Sequence, residues 1–206
     1  MFENSCQLDF AEELMPYYKT YTELVSVDFI AASLECCSFL MVMCKELTPK
    51  MVLDLGSGFS SFALRYYSDR YDKSMEVYSV DTNLGWLLKS RQFVIDHNLD
   101  PYHFYTWDEI KTLPGTFDLI FVDIAGKGER PSYLKHVLEN FITRDSALLL
   151  DDMHKQELVD QYEKIMRGYS HERIEVMRQT LDGFGRFGHF YCKVERDDDA
   201  RATNDQ

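Results

Sequence analysis

The sequence has no cluster of Lys and Arg. It carries 35 acidic against 22 basic residues, a formal net charge of −13. Proteins that hold phosphate backbones do so with clustered basic side chains that release counterions, so no nucleic acid partner is expected. There is also no C-x-x-C motif and no Cys/His pattern with zinc spacing. The five cysteines, Cys6, Cys36, Cys37, Cys44 and Cys192, are odd in number. They read as small buried thiols of a reducing compartment, which makes the expected location cytoplasmic. The opening "MFENSCQLDFAEE" does not run from a basic region into an apolar stretch, so it does not read as a secretory signal. Long apolar runs are missing as well. The most apolar stretch, "FIAASLECCSFLMVMC" (29–44), is broken by Glu35 and falls short of the roughly 20 residues a membrane span needs. It reads as a buried helix, and no membrane association is expected.

What is present suits one α/β domain with a sizeable core: 206 residues, 45% of them apolar. No repeat or low-complexity linker divides the chain. An N-terminal helical segment is expected over 1–48, the main domain over 49–195, and a disordered acidic tail over 196–206, where "ERDDDARATNDQ" ends the chain. Two helices are expected in the first segment, about 9–20 and 27–47. In the second, Ile30, Leu34, Cys37, Met41 and Cys44 recur at three- and four-residue intervals on one face. Thr48-Pro49 stops it. The segment is expected to cover the functional site, with Tyr17, Tyr18 and Tyr21 as lining, or to form a homodimer contact.

Strand and helix patterns then alternate. "MVLDL" (51–55), "EVYSVD" (76–81), "YHFYTW" (102–107), "FDLIFVD" (117–123) and "SALLLDD" (146–152) read as strands. Helical patterns lie between them, one with Leu84, Leu87, Leu88 and Ile95 expected inward, and "QELVDQYEKIMRGY" follows the last. Unbroken apolar strands alternating with helices predict a doubly wound parallel sheet. "RIEVMRQ" and "RFGHFYCKVE" are joined only by "TLDGFG", too short for a crossover helix, so they are expected to pair antiparallel.

Two glycines follow the first strand in "VLDLGSGFSS" (52–61). In doubly wound sheets ligands bind beyond the carboxyl ends of the strands, and Gly56 and Gly58 would let one approach the backbone. The dinucleotide fingerprint needs a third glycine where Ser61 stands, and the loop holds no basic residue. Asp54 would repel a pyrophosphate but attract an amine or a sulfonium. Ligand contact is the expected role, with a helix-capping or loop-bracing acid as the alternative.

At these residues the chain resembles the class I S-adenosylmethionine-dependent methyltransferases, over about residues 50–194. "LDLGSGFSS" looks like their acid-x-Gly-x-Gly motif, and "VYSVD" puts Asp81 at the end of the second strand, where the family binds the ribose hydroxyls. "TWDEI" (106–110) follows the third strand, and "FDLIFVD" resembles the fourth-strand motif. The resemblance implies a Rossmann-like, mostly parallel seven-stranded sheet with a C-terminal antiparallel hairpin. It implies S-adenosyl-L-methionine as cofactor, held by Asp54, Gly56, Ser57, Gly58, Asp81, Thr82, Trp107, Asp108 and Asp123. Trp107 would stack on adenine or else belong to the core, and Asp108 would accept from the adenine amine. Asp81 has the alternative of capping the next helix.

The acids ending strands four and five bear on the chemistry. Asp123, Asp151 and Asp152 would meet at one rim as a hard-oxygen site for Mg²⁺ or another divalent cation, similar to the metal-dependent catechol-type O-methyltransferases. That group carries Asp-Asn after strand five, whereas this chain has Asp-Asp. Without a metal, His154 beside Asp152, or one of the acids, would be the general base. Asp123, Asp152 and His154 are therefore the candidate catalytic residues. Lys127 and Arg130, in the loop after Asp123, are candidates for an anionic substrate group. The expected activity is methyl transfer to a small-molecule acceptor, at a hydroxyl oxygen before a nitrogen. The alternatives are a nicotinamide-dependent oxidoreductase and a non-catalytic cofactor-binding relative.

Overall fold

The computed structural model describes residues 4–196, so the tail from 197 onward lies outside the described residues. Seven strands form one sheet: β1 (Met51–Leu55), β2 (Glu76–Asp81), β3 (Phe104–Thr106), β4 (Phe117–Val122), β5 (Ile142–Leu150), β6 (Tyr169–Ile174) and β7 (His189–Arg196). Their order is β3-β2-β1-β4-β5-β7-β6. The first five run parallel, and β7 lies antiparallel between β5 and β6. Strand order reverses between β1 and β4, where a doubly wound sheet opens its crevice.

The unbroken apolar runs are buried on both faces, and successive residues serve opposite layers. Val52, Leu119, Phe121, Ala147, Leu149 and Phe190 face a layer that includes α1 (Asn4–Leu24), α2 (Leu34–Leu47) and α3 (Phe59–Arg70). Leu53, Leu55, Ile120, Val122, Leu148 and Leu150 face α5 (Arg130–Asn140) and α6 (Gln156–Met166) on the other side. Every residue of α2 from Cys36 to Cys44 is buried, and the cysteines are free thiols. Among the described residues no helix is long and apolar enough to cross a membrane.

Several local expectations need correction. α1 extends beyond 9–20, because its outer turns carry exposed residues such as Leu8 and Leu24 and no buried stripe marks them. α2 starts at Leu34 rather than near 27, after Ser33 caps it by accepting from the Cys36 N–H at 3.1 Å. Ile30 is therefore not on its buried face but 55% exposed. The carbonyls of Asp28 and Phe29 accept from the Arg186 guanidinium at 3.1 and 2.9 Å instead of from helical N–H groups. Thr48 ends α2 in the left-handed region, φ 47°.

In α4 (Leu84–Asp96) the buried face is Leu87, Ser90, Phe93 and Val94. Leu84, Leu88 and Ile95 are exposed. The helix is rotated so that Phe93 meets Tyr21 and Phe62 edge-on, with ring centroids 5.0 and 5.1 Å apart. Strand β3 is only three residues long, and Trp107 opens a 3₁₀ helix, Trp107–Thr112. "RIEVMRQ" is mostly not strand: β6 ends at Ile174 and a short helix, α7, covers Met177–Thr180.

Candidate active site

The Gly56-Ser57-Gly58 turn joins β1 to α3 at the strand reversal, and its geometry follows from crowding. Gly56 has φ +101°, and a Cβ there would stand 2.8 Å from the Ile124 nitrogen and closer still to the Asp123 carbonyl. Its N–H donates to Val80 O at 2.8 Å, while the Asp123 N–H donates to Leu55 O at 2.7 Å. Glycine is required here by the neighbouring strand, not only by an approaching ligand. Ser57 donates its N–H and its hydroxyl to one oxygen of Asp81, at 2.8 and 2.9 Å. The other Asp81 oxygen accepts from the Asn83 N–H at 2.8 Å. Burial pushes the Asp81 carboxyl above the usual range, against these hydrogen bonds.

Asp54 is completely buried beneath this turn, not in the cleft above it. Its carboxylate accepts from the hydroxyls of Ser60, Ser61 and Ser79. Behind it, buried Arg65 donates to Ser79 Oγ at 2.8 Å and to Val77 O at 3.0 Å. This geometry is that of a loop brace. Asp54 ties the start of α3 to β1 and β2.

A cleft of about 480 Å³ opens over the turn, within the size range of small-molecule sites. Gly56, Ser57, Gly58, Ser60, Asp81, Thr82, Asn83 and Trp86 line one end. Asp123, Arg130, Asp151, Asp152, Lys155 and Arg186 line the other, and Tyr21 and residues 29–32 complete the wall. The N-terminal segment thus contributes directly to the cleft. Of its three tyrosines only Tyr21 reaches it: Tyr17 packs on Phe62, Tyr66 and His97, and Tyr18 on Phe59. The Tyr21 hydroxyl is buried near that of Ser90 and, among the described residues, makes no hydrogen bond of standard geometry. It lies 3.8 Å from where a Cβ on Gly58 would be.

Trp107 and Asp108 are not among the cleft residues. Trp107 packs against Tyr133 of α5 at 4.3 Å between ring centroids. The aromatic wall of the cleft is instead Trp86, with Lys89 Nζ 5.2 Å from its ring centroid. The signal for Trp86 was its place three residues after Asn83, whose side chain caps α4 by accepting the Trp86 N–H at 3.0 Å.

The acid rim forms, with Asp123, Asp151 and Asp152 all lining the cleft, but it is not empty of positive charge. Arg130, only 5% exposed, pairs with Asp123 at 2.9 Å and Asp152 at 3.1 Å. Lys155 reaches Asp152 at 2.6 Å. These residues fit the expected divalent-cation site poorly, because Arg130 already holds one oxygen of Asp123 and, with Lys155, one oxygen of Asp152, so a metal would have to compete with two protein cations. Among the described residues no group of three His, Cys, Asp or Glu side chains converges as a metal site. Arg130 is an internal ion-pair partner in place of the surface anion binder expected, and Lys127 points elsewhere, to Glu157 at 2.7 Å.

The three acids differ in environment. Burial pushes Asp123 up, against the charge of Arg130. Burial, then the charge of Asp152, raises Asp151 to about 6. Burial acts on Asp152 as well, but the Lys155 hydrogen bond and the Arg130 charge outweigh it and hold its carboxyl below the usual range. Among the described residues Asp151 makes no ion pair within 4.0 Å. His154 lies 3.7 Å from Asp152 but is not among the cleft residues, and burial lowers its pKa despite that carboxylate.

No family model and no curated protein matches the sequence. Solved structures do match in fold. The methyltransferase PaMTH1 of Podospora anserina, bound to S-adenosylhomocysteine, is 19% identical with a TM-score of 0.65, covering 92% of this chain and 88% of its own. An O-methyltransferase from Bacillus cereus, also with S-adenosylhomocysteine, is 16% identical with a TM-score of 0.66 and 91% of each chain covered. The O-methyltransferase TomG of Streptomyces achromogenes, with S-adenosylmethionine, is 15% identical with a TM-score of 0.61, covering 94% of this chain and 91% of its own. The chain has the class I S-adenosylmethionine-dependent methyltransferase fold, with its strand order and its C-terminal antiparallel strand.

Proposed function

We propose that the protein is an S-adenosylmethionine-dependent methyltransferase that methylates an oxygen of a small acceptor. The observation that carries this reading is one cleft with two chemically different ends. A glycine turn and Asp81 lie at one end, and a buried acid rim at the other. Asp81, Gly56, Ser57, Gly58 and Thr82 would hold the donor, with the ribose hydroxyls on Asp81 and the adenine against Trp86. Asp123 would face the sulfonium, whose positive charge suits a carboxylate-lined wall. Asp54 supports the same end as a brace beneath the turn.

The chemistry asks for little beyond alignment and a proton acceptor. The acceptor hydroxyl gives its proton to a carboxylate, and its oxygen attacks the methyl carbon. The carbon–sulfur bond breaks with its electron pair going to sulfur, leaving a neutral thioether. Asp151 suits the base role: it lines the cleft, forms no ion pair among the described residues, and is raised to about 6, which leaves it ionised yet basic near neutral pH. Asp152, engaged by Arg130 and Lys155, would position it. His154 is a weaker candidate because it does not line the cleft.

Calorimetric titration with S-adenosylhomocysteine, beside NAD as a control, tests the reading. Micromolar binding of the first alone is the expected result. Binding of NAD alone would replace the reading with the oxidoreductase alternative. A screen of hydroxyl acceptors, read by release of S-adenosylhomocysteine, then tests the transfer itself.

A further inference from the structure

We propose that the Arg130 guanidinium occupies the place of a divalent cation in this cleft, fixing Asp123 and Asp152 and presenting its remaining N–H to the acceptor oxygen. The acceptor's part in this rests on the methyl-transfer reading, whereas the place of the cation does not.

A guanidinium has five N–H donors in a fixed plane. In Arg130, Nε donates to Ile124 O at 2.9 Å. Nη2 donates to Ala125 O at 3.1 Å and pairs with Asp123 at 2.9 Å. Nη1 donates to Asp152 at 3.1 Å. Four donors are engaged among the described residues, and the fifth, on Nη1, belongs to a residue that lines the cleft, with the buried Tyr162 hydroxyl also near the guanidinium.

The fold builds this arrangement deliberately. Arg130 is the first residue of α5, and the β4–α5 loop turns back on it with Ala125 in the left-handed region, φ 55°. Two backbone carbonyls and two carboxylates from the ends of adjacent strands then converge on one planar cation. A lysine, with a single charged nitrogen, cannot reproduce that fork. The charges also add up. Three acids crowded at one rim would repel one another unless a cation lay among them. A metal usually fills that need, and here Arg130 and Lys155 already do.

In the transfer step Arg130 would stabilise the negative charge that grows on the acceptor oxygen as its proton passes to Asp151. Positive charge held in place by two carbonyls and two carboxylates is suited to this, because it needs no reorganisation during the reaction. No electron leaves the system: the oxygen–carbon bond forms as the carbon–sulfur bond breaks.

The test is calorimetric titration of Mg²⁺ and Mn²⁺ into the protein saturated with S-adenosylhomocysteine, for wild type, Arg130→Ala and Arg130→Gln. Wild type is expected to show no saturable uptake at millimolar metal, and its turnover to survive EDTA. Each variant frees the carboxylates, so Mn²⁺ affinity should rise by at least about tenfold. Saturable one-to-one metal binding by wild type, or loss of its turnover in EDTA, would overturn the proposal. Variants that melt cooperatively yet gain no metal affinity would overturn it too. If neither variant folds, the wild-type titration decides alone, with saturable uptake against the proposal and its absence in favour. Failure to bind S-adenosylhomocysteine strikes the methyltransferase reading instead. In that event the metal titration on the unliganded protein still decides the place of Arg130.

Discussion

Ser57 grips Asp81 twice, through its N–H at 2.8 Å and its hydroxyl at 2.9 Å, both on the same carboxylate oxygen. The turn after β1 is thereby locked to the end of β2, and the acid is oriented before any ligand arrives. Asp81→Asn should cut affinity for S-adenosylhomocysteine about 10- to 100-fold, the loss of charge-assisted hydrogen bonds to a diol. Ser57→Ala, which spares the carboxylate, should cost about 1 kcal/mol of stability and weaken binding less. Titration calorimetry on both variants checks the order.

Gly56 has no room for a side chain. Gly56→Ala combines a left-handed backbone with overlap against the Asp123 carbonyl, so it should destabilise the protein by at least about 2 kcal/mol. Urea denaturation would show the midpoint fall. An unchanged midpoint would mean that β1 and β4 part easily at this turn.

Asp54 should behave as structure and not as ligand contact. Asp54→Ala orphans three buried serine hydroxyls and should cost about 3 kcal/mol. At a temperature where the variant remains folded, its affinity for S-adenosylhomocysteine should stay within a few-fold of wild type. A large selective loss of affinity with little loss of stability would return Asp54 to the donor site.

Asp151 sets a pH dependence on both rate and stability. With its carboxyl raised to about 6, kcat/KM should rise with pH through that value as the base ionises. Asp151→Asn should remove that limb and lower turnover about 10²- to 10⁴-fold. For stability the sign is opposite. The folded protein holds this proton more tightly than the unfolded chain, so its stabilisation is complete below the ordinary carboxylate pKa and fades as pH rises through about 6. Asp151→Asn should therefore be more stable than wild type at neutral pH, with the difference shrinking as pH falls below about 6, as measured by denaturation across that range.

The buried Tyr21 hydroxyl, near that of Ser90, makes no hydrogen bond of standard geometry among the described residues. Removing it should not harm the fold, and Tyr21→Phe is expected to be as stable as wild type or up to about 1 kcal/mol more so. If the donor supplies the missing hydrogen bond, affinity for S-adenosylhomocysteine should fall about fivefold or more. Paired melting curves and titrations separate the two effects.

Most of the sheet was legible along the chain. Continuous apolar runs would be ambiguous alone, but "MVLDL", "FDLIFV" and "SALLL" alternate with helical patterns, and only a parallel sheet buries both of their faces. The glycine turn, Asp81 and the three rim acids were legible for the same reason, since strand ends on one side of a parallel sheet share one rim. The rotation of α4 was not. Its leucines and its Phe93 define competing faces, and contact with Tyr21 and Phe62 chose between them.

What the sequence by itself determined was therefore the order of the strands' ingredients and the residues at their carboxyl ends, because burial periodicity and glycine placement are local properties. Tertiary structure alone decided which of those residues face the cleft. It sank Asp54 beneath the turn, carried Trp107 away onto Tyr133, chose Tyr21 from the three expected tyrosines, and brought Trp86 in. It also drove Arg130 between Asp123 and Asp152. A long side chain's direction depends on which charges and carbonyls the folded chain gathers around it, and no spacing along the sequence encodes that.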